Sequence, residues 1–108
     1  MITIRKQQLN HFDAAAAEDF RWRLVKFIRV EIPDDAAGKS DEDLHGLVVE
    51  SERRAAEYKV ETERGIASFA CLSLIFAQPA DEVPEIKRGL TESKQPEDFL
   101  ELLMDTLA

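Results

Sequence analysis

The stretch from Ile66 to Ala77 carries no charged residue, and apolar side chains occupy every position except Ser68 and Ser73. A helix that is apolar on all sides has to be surrounded by other elements. The stretch is also well short of the roughly 20 residues that a membrane-spanning helix needs. We therefore expect a helix over about 63–77 at the centre of a bundle, packed by the rest of the chain.

The segments on either side of this run are amphipathic, because their apolar residues recur at steps of three and four. They predict a first helix over 4–31, a second over 40–58, a short helix over 84–90 and a final helix from Pro96. Pro33 is expected to end the first helix and to be followed by a polar connector over 34–39. The stripe of the first helix that is predicted to face the core is Phe12, Ala16, Phe20, Leu24, Phe27 and Ile28.

No segment alternates with the period of a β-strand, so the predicted fold class is all-α. The chain has 108 residues, of which 44% are hydrophobic. That length fits a single domain with one core. We expect residues 1–108 to form one compact bundle of four to five helices around the central apolar helix.

The net charge is −8, with 14 Lys and Arg residues against 22 Asp and Glu residues. An acidic surface of this kind argues against general binding to nucleic acid or to an anionic membrane. The single cysteine cannot form an internal disulfide, so the fold does not need an oxidising compartment. The opening residues do not have the pattern of a secretory signal. We therefore expect a soluble, cytoplasmic protein.

Residues that could carry catalysis are few. His11 and His45 have no histidine at i+3 or i+4, so no local metal-binding pair is present, and Cys71 has apolar neighbours typical of a buried thiol. The many carboxylates lie in connectors or at predicted helix starts, where they complement the helix dipole. Phosphate-binding loops and hydrolase motifs are absent from the sequence. The expectation is a protein that is not an enzyme and that has no catalytic residues, no metal and no cofactor.

The distribution of charge along the chain is more informative. Residues 1–30 carry +3 and residues 31–108 carry −11. One interpretation is that the basic first helix pairs with the acidic remainder; the other is that it presents a protein-docking face. Trp22 favours docking, because Trp and Arg are enriched at interface hot spots, although Trp22 could also close the core from the side. The predicted protein-binding residues are Arg21, Trp22, Val25, Lys26 and Arg29.

Four stretches of the sequence together resemble a known group of proteins. They are the opening MITIRKQQ, the helix end at Ile32-Pro33, the segment VVESERRAAEYKVETERGIASFACLSLIFA and the later EVPEIKRGL. The chain resembles small helical accessory proteins encoded beside type VI secretion effectors and their adaptor chaperones. In that group a tyrosine is followed by Gly-Ile-Thr, whereas Tyr58 here is followed by Lys59 and Val60.

The resemblance implies a partner-binding role and no catalytic residue. Two roles are compatible with it: a co-chaperone that works with an effector adaptor, and an immunity protein that blocks a toxin. The expected partner is another protein, namely an effector, its adaptor or a toxin. Neither the resemblance nor the residue pattern fixes the oligomeric state.

Overall fold

The computed structural model describes residues 14–107. These residues contain six α-helices and no strand, so the all-α prediction is confirmed with one helix more than expected. None of these helices has both the length and the apolar character needed to cross a bilayer. The helices are α1 (Ala14–Glu31), α2 (Pro33–Ala36), α3 (Asp41–Ala56), α4 (Glu63–Phe76), α5 (Pro84–Glu92) and α6 (Pro96–Leu107), with a 3-10 turn at Ala80–Glu82.

Helix α4 lies at the centre of the fold, as the uncharged run predicts. It packs against α1, α2, α3, α6 and the 3-10 turn, and Phe69 and Leu72 are completely buried. Ser73, one of the two polar residues in the run, is also buried. Its hydroxyl donates to the carbonyl of Phe69 at 2.9 Å and accepts the N–H of Ala80 at 2.9 Å. The buried hydroxyl is therefore satisfied, and it ties the 3-10 turn to α4.

Side-chain caps begin α3 and α4. The Ser40 hydroxyl accepts the N–H of Asp43 at 3.0 Å, and the Asp43 carboxylate accepts the N–H of Ser40 at 3.3 Å. This reciprocal pair is a capping box, with aspartate in place of the usual Glu or Gln. The Thr62 hydroxyl accepts the N–H of Gly65 at 3.1 Å. Both caps satisfy backbone donors that a helix start leaves without partners.

The region after α1 differs from the prediction. Helix α1 ends at Glu31, as expected, but Pro33 begins a new helical turn instead of a polar connector. Proline suits the first position of a helix, because its φ is already helical and its missing N–H is not needed there. The turn brings Ala36 into the core, where it is 1% exposed. The first residues of the helix predicted over 4–31 lie outside the described residues.

Helix α3 ends in a backbone geometry that favours glycine. Lys59 has a φ of 63°, and the N–H of Val60 donates to the carbonyl of Ala55 at 3.0 Å. Left-handed backbone of this kind is common after a helix and costs a residue with a Cβ more than it costs glycine. This position directly follows Tyr58. Lys59 therefore holds the turn at a steric cost that glycine would avoid.

Candidate protein-docking surface

Helix α3 lies along one side of α1 and is held there by charged side chains. Arg21 Nε donates to Glu52 Oε1 at 2.6 Å, and Arg21 Nη1 donates to Glu18 Oε1 at 3.0 Å. The hydrogen bond to Glu52 raises the pKa of Arg21, so the guanidinium remains charged. His45 Nε2 lies 2.7 Å from the second carboxylate oxygen of Glu18. These contacts fix which side of α1 faces the core.

Val25 does not lie on the exposed side of α1, and its prediction as a docking residue is wrong. It is 2% exposed, because the buried face of α1 is rotated toward Val25 and Ile28, where α2 and α3 pack. Arg21 is half-buried and held by carboxylates of α1 and α3. Val25 therefore stabilises the core, and Arg21 stabilises the contact between α1 and α3.

Trp22 lies at the boundary between α1 and α3 and remains 39% exposed. Its ring stacks on the imidazole of His45, with ring centroids 4.5 Å apart and an interplanar angle of 30°. Lys26, one turn further along α1, is exposed. Arg29 Nε donates to Asp41 Oδ1 at 2.9 Å. We call Trp22, Lys26 and Arg29 the Trp22 edge: an aromatic ring supported on one face and flanked by cations.

Phe27 corrects the predicted core stripe, because its side chain is 45% exposed. Phe20, Leu24 and Ile28 of that stripe are buried, Ala16 is exposed and Phe12 lies outside the described residues. Next to Phe27, helices α1, α4 and α6 enclose a groove of about 420 Å³, which we call the Phe27 groove. Its apolar lining consists of Phe20, Leu24, Phe27, Ala67, Cys71 and Met104.

The Phe27 groove and the Trp22 edge lie on different sides of the exposed face of α1. Phe27 follows Trp22 by five residues, which turns its side chain by about 140° around the helix axis relative to that of Trp22. Val30 lies between them and is 75% exposed. Sequence reasoning missed both Phe27 and Val30 as surface residues. The sequence did contain one indication that Phe27 is exposed. The step of three from Leu24 to Phe27 turns Phe27 away from a face centred on Leu24 and Ile28.

Side chains that could bind a metal do not converge. Within residues 14–107, no three His, Cys, Asp or Glu residues are placed to hold a metal ion. His45 is engaged by Trp22 and Glu18, and His11 lies outside the described residues. The carboxylate of Asp43 caps α3.

Cys71 is buried as the sequence predicts, and we expect it to resist alkylation in the native protein. Its side chain is 1% exposed, and burial, followed by the charge of Glu31, raises the pKa of the thiol to about 12. The nucleophilic thiolate is therefore scarce at neutral pH. Mass spectrometry after treatment with iodoacetamide should find modification only when denaturant is present. Rapid, complete modification of the native protein would contradict this placement.

A second cavity, of about 310 Å³, lies between α3 and the residues that end α4. Arg54 lines it and donates from Nη1 to Asp81 Oδ1 at 2.9 Å. Asp81 is 8% exposed and accepts the Tyr58 hydroxyl at 3.4 Å. Burial, and next the charge of Asp81, raises the pKa of Tyr58, so the phenol remains a donor. Arg54 and Tyr58 both donate hydrogen bonds to the carboxylate of Asp81. These contacts join the 3-10 turn to α3.

No protein-family profile, curated protein or solved structure matches this chain. The geometry of the surface is therefore the basis on which a function can be argued. That surface offers the Trp22 edge on one side of α1 and the Phe27 groove on the other.

Proposed function

We propose that this protein is a non-catalytic binding module that works as a co-chaperone or adaptor-associated protein for a type VI secretion effector. The observation that carries the proposal is the Trp22 edge, an exposed tryptophan with cations on the same helix face. Tryptophan and arginine supply a large share of binding energy at protein interfaces. The assignment to type VI secretion rests on the resemblance of the sequence to accessory proteins encoded beside such effectors.

The Trp22 edge is suited to docking because its tryptophan is already held in place. The ring rests on His45, and Glu18 in turn contacts His45 Nε2 at 2.7 Å. A side chain ordered before binding loses less conformational entropy when the complex forms. Lys26 is exposed beside it and is free to approach a carboxylate of a partner. The complementary surface is a groove with an acidic rim, where the cation chiefly speeds encounter.

The turn after α3 has a backbone conformation that would accept the glycine of the resembled group. The resembled group has glycine after its tyrosine, and the residue after Tyr58 has a φ of 63°. Glycine adopts this conformation at no steric cost. A glycine in place of Lys59 would therefore fit this helix end without strain.

The proposed location is the cytoplasm, and the proposed mode of action involves no catalysis and no nucleic acid. The one cysteine in the chain is buried with a pKa of about 12, which suits a structural thiol in a reducing compartment. The net charge of −8 disfavours contact with phosphate backbones.

The alternative is an immunity protein that binds and blocks a toxin. The acidity of residues 31–108, which carry −11, favours it. Many toxins that cut nucleic acid have a basic cleft, which an acidic inhibitor complements. That role would use the acidic surface and would not require the Trp22 edge.

Co-expression with the products of neighbouring genes separates the two roles. The proposal predicts co-purification with the adaptor or effector and a rise in its soluble yield, with no protection against a toxin. The double variant Trp22→Ala with Lys26→Glu should weaken this binding by about 30-fold or more, the loss typical of a hot spot. Protection from a toxin without any adaptor binding would instead favour the immunity role.

A matched control tests whether the loss of binding is specific to the Trp22 edge. Phe76 is 38% exposed at the end of α4, and Lys87 is exposed on α5. The double variant Phe76→Ala with Lys87→Glu makes the same kinds of change elsewhere on the surface. It should fold and bind as the wild type does. Equal loss in both double variants would contradict docking at the Trp22 edge.

A further inference from the structure

The Phe27 groove is an apolar surface that no described part of the chain covers. Phe27 on its wall is 45% exposed, and the neighbouring Val30 is 75% exposed. The half-buried Met104 lines the groove from α6. Apolar side chains that lie together on a surface mark a contact with another molecule.

Charges on α1 are placed symmetrically about Phe27. Arg23 precedes it by four residues and Glu31 follows it by four, and both line the groove. Four residues are slightly more than one helical turn, so the three side chains follow one another on one face at intervals of about 6 Å. A second α1 that crossed in the antiparallel direction at Phe27 would place Arg23 of each copy next to Glu31 of the other. A two-fold interface requires this reciprocity.

The charge around the groove also favours an occupant that brings a cation to it. The groove is lined by four carboxylates and two guanidiniums: Glu31, Glu63, Glu101 and Asp105 against Arg23 and Arg64. Arg64 Nη2 already lies 2.6 Å from Glu101 Oε1. The exposed face of α1 around Phe27 carries Arg23, so a second copy brings a cation to this acidic rim.

We propose that the chain associates with a second copy of itself through the Phe27 groove, with the two α1 helices antiparallel. Phe27 of each copy enters the groove of the other, and two equivalent pairs of Arg23 with Glu31 flank the crossing point. The Arg23 side chain is 57% exposed in one copy, where it contacts Asp19 at 3.0 Å and Glu63 at 3.5 Å. Its guanidinium retains donors for a further carboxylate.

This association is independent of the proposed function. The Trp22 edge lies on the other side of the exposed face of α1, about 140° around the helix. Each copy therefore keeps its Trp22 edge open, and the pair presents two equivalent docking sites. Two sites on one dimer raise the avidity for a partner that is itself multivalent.

Analytical ultracentrifugation of the full chain tests the proposal, with a reversible dimer as the expected result. Phe27→Ala should lower the association constant by about 30-fold or more, because it removes the central aromatic from both halves of the interface. Phe76→Ala is the matched control, since Phe76 is 38% exposed but does not line the groove. It should leave the association constant unchanged.

Charge reversal tests the antiparallel register. Arg23→Glu and Glu31→Arg each create two like-charged contacts per dimer, so each should weaken association by about tenfold or more. The double variant restores both pairs and should return to within about threefold of the wild type. Circular dichroism and thermal melting confirm that each variant is folded.

Three results would overturn the proposal. The first is a protein that stays monomeric at all accessible concentrations, with the groove empty or filled by residues 1–13. The second is a dimer that Phe27→Ala does not weaken, since it would use another surface. The third is a double charge reversal that associates no better than the single ones. Binding of an adaptor at the Trp22 edge is measured separately, so either proposal can fail without the other.

Discussion

Replacing Leu72 with aspartate is expected to leave the protein unfolded at room temperature. Leu72 is completely buried in α4, the helix that packs against most of the others. The substitution removes a core side chain and buries a carboxylate that has no partner, at a cost of several kcal/mol. That loss is comparable with the entire stability of a typical domain, about 5–15 kcal/mol. Far-UV circular dichroism should show loss of most of the helical signal.

Phe76→Asp is the matched control on the same helix. Phe76 is 38% exposed in the last turn of α4, so the new carboxylate remains in water. The variant should stay folded and lose far less stability in urea than Leu72→Asp does. Similar losses in the two variants would mean that α4 does not have the central position described here.

Replacing Arg54 with alanine is expected to cost about 3 kcal/mol, the lower end of the range for removing one partner of a buried ion pair. The lower end applies because the Arg54 side chain remains 23% exposed. The change leaves Asp81, which is 8% exposed, without the guanidinium 2.9 Å away. It also removes the contact to Glu82 at 3.3 Å, which holds the 3-10 turn. Urea denaturation measures the change in the free energy of unfolding.

The neighbouring Arg53 provides the control for this prediction. Its side chain is 58% exposed and contacts two carboxylates of the same region, Glu50 and Glu57. Surface pairs of this kind contribute little to stability. Arg53→Ala should therefore leave the urea midpoint almost unchanged. If both alanine variants lose the same stability, the Arg54–Asp81 contact does not join α3 to the turn.

The parts of the fold set by local chemistry could be predicted from the sequence. The caps at Ser40 and Thr62 depend on residues within three positions, because each side chain accepts a backbone N–H three residues further along. The central position of α4 follows from its uncharged run alone. The helical turn that begins at Pro33 was harder to predict, because proline both ends one helix and suits the start of the next. Whether a new turn forms there depends on the burial of Ala36, which is a tertiary effect.

The exposed face of α1 was harder to predict, because the orientation of α1 about its axis depends on its neighbours. The apolar residues of α1 are spread over more than one face, so several orientations bury a similar number of them. Packing of α2 and α3 selects the one that buries Val25 and exposes Phe27. The contact of Arg21 with Glu52, 31 residues away, is likewise a tertiary contact. The step of three from Leu24 to Phe27 is a local indication that Phe27 is exposed, but no local pattern encodes the burial of Val25 or the contact of Arg21 with Glu52. The sequence left open whether Trp22 is exposed, whereas Lys26 was predicted on the surface and lies there.

The emission of Trp22 offers the most direct test of the claim that the Trp22 edge is a docking surface. Trp22 is the one tryptophan of the chain and is 39% exposed. If the tryptophans of the partner are replaced by phenylalanine, the tryptophan fluorescence of the complex therefore reports on this edge alone. Titration with the adaptor encoded by a neighbouring gene should shift the emission to shorter wavelength and protect it from acrylamide quenching. A complex that co-elutes on size exclusion while both the emission and the quenching of Trp22 remain unchanged would contradict the account.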